Sequence, residues 1–497
     1  MGASRYDVAI IGSGFGGSLL AMVLTRLGKR VVLVERTCHP RFAIGESSTP
    51  IADMILADLA SRYDLPRIAP LAQYGSWRRT YPGIERGRKR GFSYFRHEPG
   101  RAFQASPEHG NELLVAASGD DDRCDTHWLR ADVDQFLARE AVELGTVLHE
   151  RTTVEACDAG IRWGLRLRDP ARSWDIESDL LIDASGSGGF GRRWLDAGDD
   201  TPSMRAYSRS IYTHFDDVGR WADVLASRGA RLDDHPFPCD DAALHHIFDD
   251  AWMWMLPFDC GRVSVGLALG RKHDTLAIHD PDAVWRAWLD RYPSLADQLG
   301  AARLAPIPGR WIVEDRLQRR CERAAGPGWA SLPFAYGFID PMHSMGIAFT
   351  LSAIERLAIA IDRHGIGSSL DPELLAYERA IRAEFDMADR LIHAVYATMG
   401  SFPLFVLAAM LYFTAVVTYE QRRKAGRHDS FLCANDPELR PVLERLYATL
   451  LDASTRLDDE PSIEDARRAF REAIAPFNSV GLCDDNARNM YHHTIAR

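Results

Sequence analysis

Four short stretches of this chain concentrate residue types that can do chemistry. "DVAIIGSGFGGSLLAMVLTRLGKRVVLVE" carries Gly12, Gly14 and Gly17 in G-x-G-x-x-G spacing and closes on Glu35. Gly12 permits a tight turn, Gly14 lets the backbone approach a pyrophosphate at a helix N-terminus, and Gly17 lets helix and strand pack closely. Glu35 would hold a ribose hydroxyl pair. "DPMHSMGIAF" leads a glycine turn into a helix, a natural cradle of backbone N–H groups for an anion. "WMWMLP" places Trp252 and Trp254 two residues apart, which in a strand aims both indoles at one face, with Pro257 at the strand edge. "RGRKRGF" carries Arg86, Arg88, Lys89 and Arg90. Taken alone, that run reads as a solvated basic face and the tryptophan pair as core aromatics.

The elements that must position these residues are legible around them. An apolar strand at residues 8–11, an amphipathic helix at 18–27 with Gly28 as its stop, and a second strand at 31–34 frame the glycine motif. G-x-G-x-x-G is a weak signal alone, but here strand, helix and acidic residue all fall where a dinucleotide-binding unit needs them. Residues 126–145 set Arg130 ahead of a helical repeat of Val133, Phe136, Leu137, Ala141 and Leu144, and residues 179–193 run a strand into a glycine-rich turn. From about residue 366 the periodicity becomes helical. It runs through an apolar stretch at 403–419 to two further helices around 436–453 and 462–475. The 403–419 stretch is slightly short for a membrane span and starts at proline, so it reads as a buried or lid-forming helix.

Composition bounds the class. A chain of 497 residues with 46% hydrophobic and 26% charged residues is ordinary for a globular enzyme. A net charge of −11 argues against a nucleic-acid partner. The eight cysteines form no C-x-x-C pair and no zinc-like spacing, so reduced thiols, a cytoplasmic setting and no metal are expected. The opening "YDVAIIGSG" reads as a strand, not a signal peptide. No stable membrane insertion is expected, and a homodimer is left open.

The N-terminal place of the glycine motif, with the segments at 126–145 and 179–193, is similar to FAD-dependent aromatic monooxygenases and favours FAD. With "WMWMLP" added, the chain resembles the flavin-dependent halogenases, whose signature is W-x-W-x-I-P; Leu256 stands in the isoleucine position. "HPRFAIGESSTP" and "GFIDPMHSMGIAFT" fit two further family segments, and the resemblance leans toward members acting on free phenols. It implies an α/β fold, an FAD-binding module with an inserted substrate sheet and a C-terminal helical region. The expected spans are 1–365 for the core, with the sheet at about 70–110 and 200–305, and 366–497 for a helical lid.

The chemistry implied is halogenation by chloride or bromide. Reduced FAD from a separate reductase gives a flavin hydroperoxide, and hypohalous acid then travels to a lysine beside a phenolic arene. By the resemblance, Lys89 is that lysine, and Met345 and Gly346 bind halide beside the flavin ring that Ile347 meets. A lysine that reacts as the free amine needs a pKa lowered by burial or by cations such as Arg88 and Arg90.

His343 stands where indole-acting members carry glutamate, and is a candidate base toward a phenol. Pro333 and Phe334 fall where many relatives carry a Gly-Asp pair. FAD contacts are therefore expected from Arg41, Ser48 and Arg130, with Asp340 as a replacement. Trp252 and Trp254 would wall the flavin from the arene. The alternatives are an aromatic hydroxylase on the same scaffold and a flavin-binding protein without chemistry.

Overall fold

The computed structural model describes residues 3–492, so the outermost ends of the two expected regions (1–2 and 493–497) lie outside it. The glycine motif folds as its spacing predicts. Strand Ser4–Ile11, helix Phe15–Arg26 and strand Val31–Val34 form the first βαβ unit. The helix starts three residues earlier than expected, which places Gly16 and Gly17 inside it. A Cβ at Gly17 would lie 2.0 Å from the Gly12 carbonyl oxygen, so only glycine allows this approach of helix to strand. Ser4–Ile11 sits between Val31–Val34 and Ser173–Asp183, parallel to both, and the parallel run extends to Val147–His149 on one side and Trp329–Ser331 on the other. Strands buried on both faces read as continuous apolar runs, which is why "VVLV" and "DLLID" were visible.

Among the described residues a second, nine-stranded sheet carries the tryptophan strand Ala251–Pro257 between Ala243–Phe248 and Val263–Leu269. It reaches beyond the expected spans. Glu112–Ala116 and Ile312–Glu314 belong to it, and the C-terminal Met490–Tyr491 pairs in parallel with Glu112–Ala116. These short edge strands carry too few residues for a period to show.

The C-terminal part is helical, with Asp371–Thr398, Phe402–Lys424, Leu439–Ala453 and Glu460–Ile474. Helix Phe402–Lys424 is long and apolar enough to cross a membrane, but 94% of its apolar window is buried inside the protein. Its Phe405, Tyr412 and Phe413 pack edge-on against Tyr94 and Phe92 of the substrate sheet. One apolar core runs through the FAD module, one face of the sheet and these helices, while a second core lies on the sheet's other face. All eight cysteines are free thiols.

Candidate active site

The predicted residues gather in three places along one path. At its first end, the glycine turn meets two guanidinium groups. A Cβ at Gly14 would lie 3.4 Å from an Arg41 nitrogen and 3.5 Å from an Arg130 nitrogen. Arg130 is buried, braced by Asp134 at 2.8 and 2.9 Å, and donates to the carbonyls of Ile44 and Gly45. Helix Phe15–Arg26 has no side-chain cap at Gly14, and Asp134 accepts from Phe15 N–H at 3.2 Å.

Glu35 ends its strand as predicted. Burial raises its pKa, but Arg41 and donors from Thr37 and Ser13 outweigh that and hold the carboxyl at about 2. Backbone turn, two cations and an ionised carboxylate at the strand end are the donor set that a dinucleotide pyrophosphate and ribose require. The residues present therefore fit FAD.

The second place is a partly open pocket, lined among others by Gly45, Ser47, His245, Trp254, Phe334, Asp340, Met345, Gly346 and Ile347. Helix Met345–His364 opens into it from Ser344, which holds a left-handed φ of 52° and makes no side-chain cap. The free N–H groups of a first helical turn favour an anion, so the predicted halide residues and Ile347 are together at one helix start. Phe334, in the position of the absent Gly-Asp pair, packs between two glycines. A Cβ at Gly346 would lie 2.5 Å from its ring and one at Gly45 3.2 Å.

Asp340 lines the cavity, but its carboxylate accepts from Met342 N–H, Tyr396 Oη and Ser208 Oγ. Burial pushes it up to about 7. Its oxygens take these protein donors while the residue still faces the cavity, where the flavin contact was expected.

The third place lies one residue beyond the cavity. Lys89 is fully buried, and its Nζ donates to the Ser48 carbonyl at 2.5 Å, next to the cavity-lining Ser47. The solvated-face reading of its run is wrong for this residue and for the buried Arg86; Arg88 and Arg90 point away to pair with Asp121, and Arg88 also with Asp241. Burial, not these arginines, pushes the Lys89 amine down to about 8, against the attraction of Asp125 and Asp53. Asp125 is the cross-strand partner of Lys89. Burial raises Asp125 to about 6, and burial together with Asp125 raises Asp53 well above the carboxylate range.

These two acids were missed in the sequence. No local pattern marks them, and only the pairing of Arg86–Lys89 with Asp125–Trp128 and the start of helix Pro50–Arg62 bring them together. Ser48, expected at the flavin, donates its hydroxyl to Asp53 and accepts from Thr126 N–H, while its carbonyl takes the lysine's hydrogen bond.

Around Lys89 the surfaces are aromatic. Its Nζ lies 4.2 Å from the Phe92 ring centroid. His245 stacks on Tyr94 at 4.5 Å, and His343 stacks flat on Tyr412 at 4.2 Å. Neither ring nitrogen of the buried His343 has a hydrogen-bond partner, and burial and His245 push its pKa down to about 3. An imidazole held that low is a weak proton acceptor at neutral pH and a ready hydrogen-bond acceptor.

Trp252 and Trp254 do share a face, with ring centroids 5.6 Å apart. Trp254 lines the cavity and lies over Gly266, where a Cβ would meet its ring at 2.0 Å. Trp252 stands behind it and donates to Tyr396 Oη at 2.9 Å. The strand's end abuts the lysine strand: a Cβ at Gly87 would lie 1.8 Å from the Pro257 oxygen.

A dinucleotide-type βαβ module joined to an inserted sheet and C-terminal helices, with a cavity between helix Met345–His364 and the tryptophan strand, has the fold of the aromatic monooxygenase/halogenase class of flavoproteins. Comparison with known proteins narrows this. A model of the FAD binding domain matches residues 5–41. The chain is 26% identical to monodechloroaminopyrrolnitrin halogenase PrnC of Pseudomonas fluorescens, over 98% of this chain and 87% of the relative. It is 28% identical to tetracycline 7-halogenase of Kitasatospora aureofaciens, over 81% of this chain and 72% of the relative. The crystal structure of halogenase PltM in complex with phloroglucinol and FAD superposes with a TM-score of 0.86, at 23% identity over 98% of this chain and 99% of that one. Along most of its length the chain is similar in sequence and fold to flavin-dependent halogenases.

Proposed function

We propose that the chain is an FADH2-dependent halogenase of a small, electron-rich phenol, with Lys89 as the residue that delivers the halogen. The observation that carries this is a fully buried lysine, poised near neutrality, one residue past the end of the flavin-side cavity and enclosed by aromatic rings. FAD bound at Gly12, Gly14, Gly17, Glu35, Arg41 and Arg130, reduced by a separate reductase, supplies with oxygen and chloride or bromide a small hypohalous oxidant.

The chain's own residues do the rest. Met345 and Gly346 N–H groups hold halide at the helix start. Trp254, backed by Trp252, denies the arene direct access to the flavin, so only a small species passes Ser47 and His245. Lys89 with a pKa of about 8 is mostly an ammonium at pH 7 and donates a hydrogen bond to that species. Above pH 8 the free amine becomes available to bond the halogen covalently. His343 accepts a hydrogen bond from the phenol hydroxyl and so raises electron density in the ring.

Phenol preference is supported by the absence of the glutamate at position 343 and by the likeness to PltM, whose complex holds phloroglucinol. A cytoplasmic setting and a free, not carrier-bound, substrate belong to the same reading.

The test is product mass from protein, FAD, NADH, a flavin reductase and bromide or chloride, with a panel of resorcinol- and phloroglucinol-type phenols. A halogen isotope pattern supports the reading. An added oxygen would make the chain a hydroxylase, and no turnover with bound FAD would make it an inactive flavoprotein. Lys89→Met is expected to abolish halogenated product while leaving FAD binding and reduced-flavin oxidation intact. Halogenation by a folded Lys89→Met protein would remove Lys89 from the mechanism.

A further inference from the structure

Away from the flavin path, the far edge of the substrate sheet holds a buried group that the proposed reaction does not use. Glu112 opens strand Glu112–Ala116 and has no exposed surface. The charged partners the structure gives it are two imidazoles. His109 Nδ1 lies 3.4 Å from Oε1, and His235 Nε2 lies 3.3 Å from Oε2. Both histidine side chains are nearly fully buried, at 4% and 2% exposure. A buried carboxylate must be neutralised by a proton, a cation or a metal.

The geometry favours a metal. Glu112 Oε2 and His235 Nε2 face each other without forming a hydrogen bond. Ligands bound to zinc at about 2.0–2.1 Å in tetrahedral geometry stand about 3.3 Å apart; Glu112 Oε2 and His235 Nε2 have that separation, and one ligand atom from each of the three residues lies within 4.8 Å of the others. His109 turns its other nitrogen to Asp234 at 2.9 Å. This is the carboxylate–histidine arrangement that fixes a metal ligand's tautomer and aims the remaining lone pair inward. His109 also holds a left-handed φ of 50°, uncommon for a side-chain-bearing residue, which turns its ring toward Glu112.

We propose that His109, Glu112 and His235 form a structural site for a divalent transition metal of the zinc class, with Asp234 orienting His109. Two imidazoles and a carboxylate suit zinc and leave one position for solvent. The site joins three segments distant in sequence. His235 belongs to the long connection before Ala243–Phe248, and Glu112 to the sheet edge. The C-terminal segment is tied in through Asn489, which donates to the His109 carbonyl at 2.9 Å just before Met490–Tyr491 pairs with the sheet. Metal there would clamp the chain's end to the substrate sheet.

The experiment uses tag-free, full-length protein stripped with a chelator and titrated with zinc chloride, read by metal content per chain and thermal midpoint. Wild type is expected to retain one zinc per chain after gel filtration and to melt at a higher temperature with zinc. Cobalt substitution should give the intense visible bands of a tetrahedral site. Glu112→Gln and His235→Gln should each weaken zinc binding by tenfold or more while halogenase turnover of the folded variants stays near wild type. Glu112→Gln is near-isosteric and His235 lies in a loop, so at least one variant should remain folded. Stripped wild type that binds no zinc, or binds it as well as both variants do, would overturn the site and leave the cluster as a packed group of polar side chains. Neither result bears on Lys89 or on the halogenase reading.

Discussion

Lys89 and Asp125 oppose each other across two short strands with neither side chain reaching solvent. Burial has pulled the ammonium from 10.5 to about 8 and pushed the carboxyl from 3.8 to about 6. For the lysine, the unfolded chain holds the proton more tightly, so the stability penalty is full below about pH 8 and fades as pH rises toward 10.5. For the aspartate, the folded chain holds the proton more tightly, so the penalty is full above about pH 6 and fades as pH falls toward 3.8. Both penalties are therefore at full size between about pH 6 and 8.

At about 1.4 kcal/mol per pKa unit, either shift alone is worth about 3 kcal/mol. The variant Lys89→Met/Asp125→Asn removes both charges and keeps similar volumes. It also leaves the Ser48 carbonyl without its donor, which takes back about 1 kcal/mol. The double variant should thus be more stable than wild type by at least about 2 kcal/mol at pH 7, while inactive as a halogenase. Lys89→Met alone strands Asp125 and should be less stable than the double variant. Urea midpoints measured from pH 4.5 to 9.5 read this directly, and the gain should shrink toward both ends. A double variant no more stable than wild type at pH 7, or a difference that stays flat between pH 7 and pH 4.5, would refute the buried-charge account of this site.

The two tryptophans should separate in function. Trp254→Phe opens the cavity wall and should release more hydrogen peroxide per halogenated product. Trp252→Phe removes the donor to Tyr396 at a cost of about 1 kcal/mol and should change coupling less; equal, wild-type coupling in both would return the pair to ordinary core. Gly17→Ala drives a Cβ to 2.0 Å from the Gly12 carbonyl oxygen and should weaken FAD retention by tenfold or more, read by flavin fluorescence after gel filtration, with the nine-stranded sheet unaffected. In direct competition a resorcinol-type phenol should be halogenated faster than tryptophan, because His343 supplies no carboxylate for an indole cation; faster tryptophan turnover would contradict this.

The sequence by itself determined the features whose physics is local. The first βαβ unit was legible because tight turns and close helix–strand packing demand glycine at Gly12, Gly14 and Gly17. The common face of Trp252 and Trp254 follows from strand alternation, and the burial of 403–419 from its starting proline and limited length. Tertiary structure decided everything that depends on what lies across from a residue. Lys89 sits in a basic run that reads as solvated. It is buried because its strand pairs with Asp125–Trp128 and packs under Pro257, while Arg88 and Arg90 alternate outward to acids. The hydrogen bonds of Ser48 with Thr126 and of Asp340 with Ser208 and Tyr396 likewise join residues far apart in the chain. The low pKa of His343 comes from burial beside His245, and the cluster of His109, Glu112 and His235 from segments far apart in the chain. Periodicity and turn stereochemistry are written within a few residues. Desolvation and charge pairing arise only when distant residues meet, and those are the terms that set the chemistry of this site.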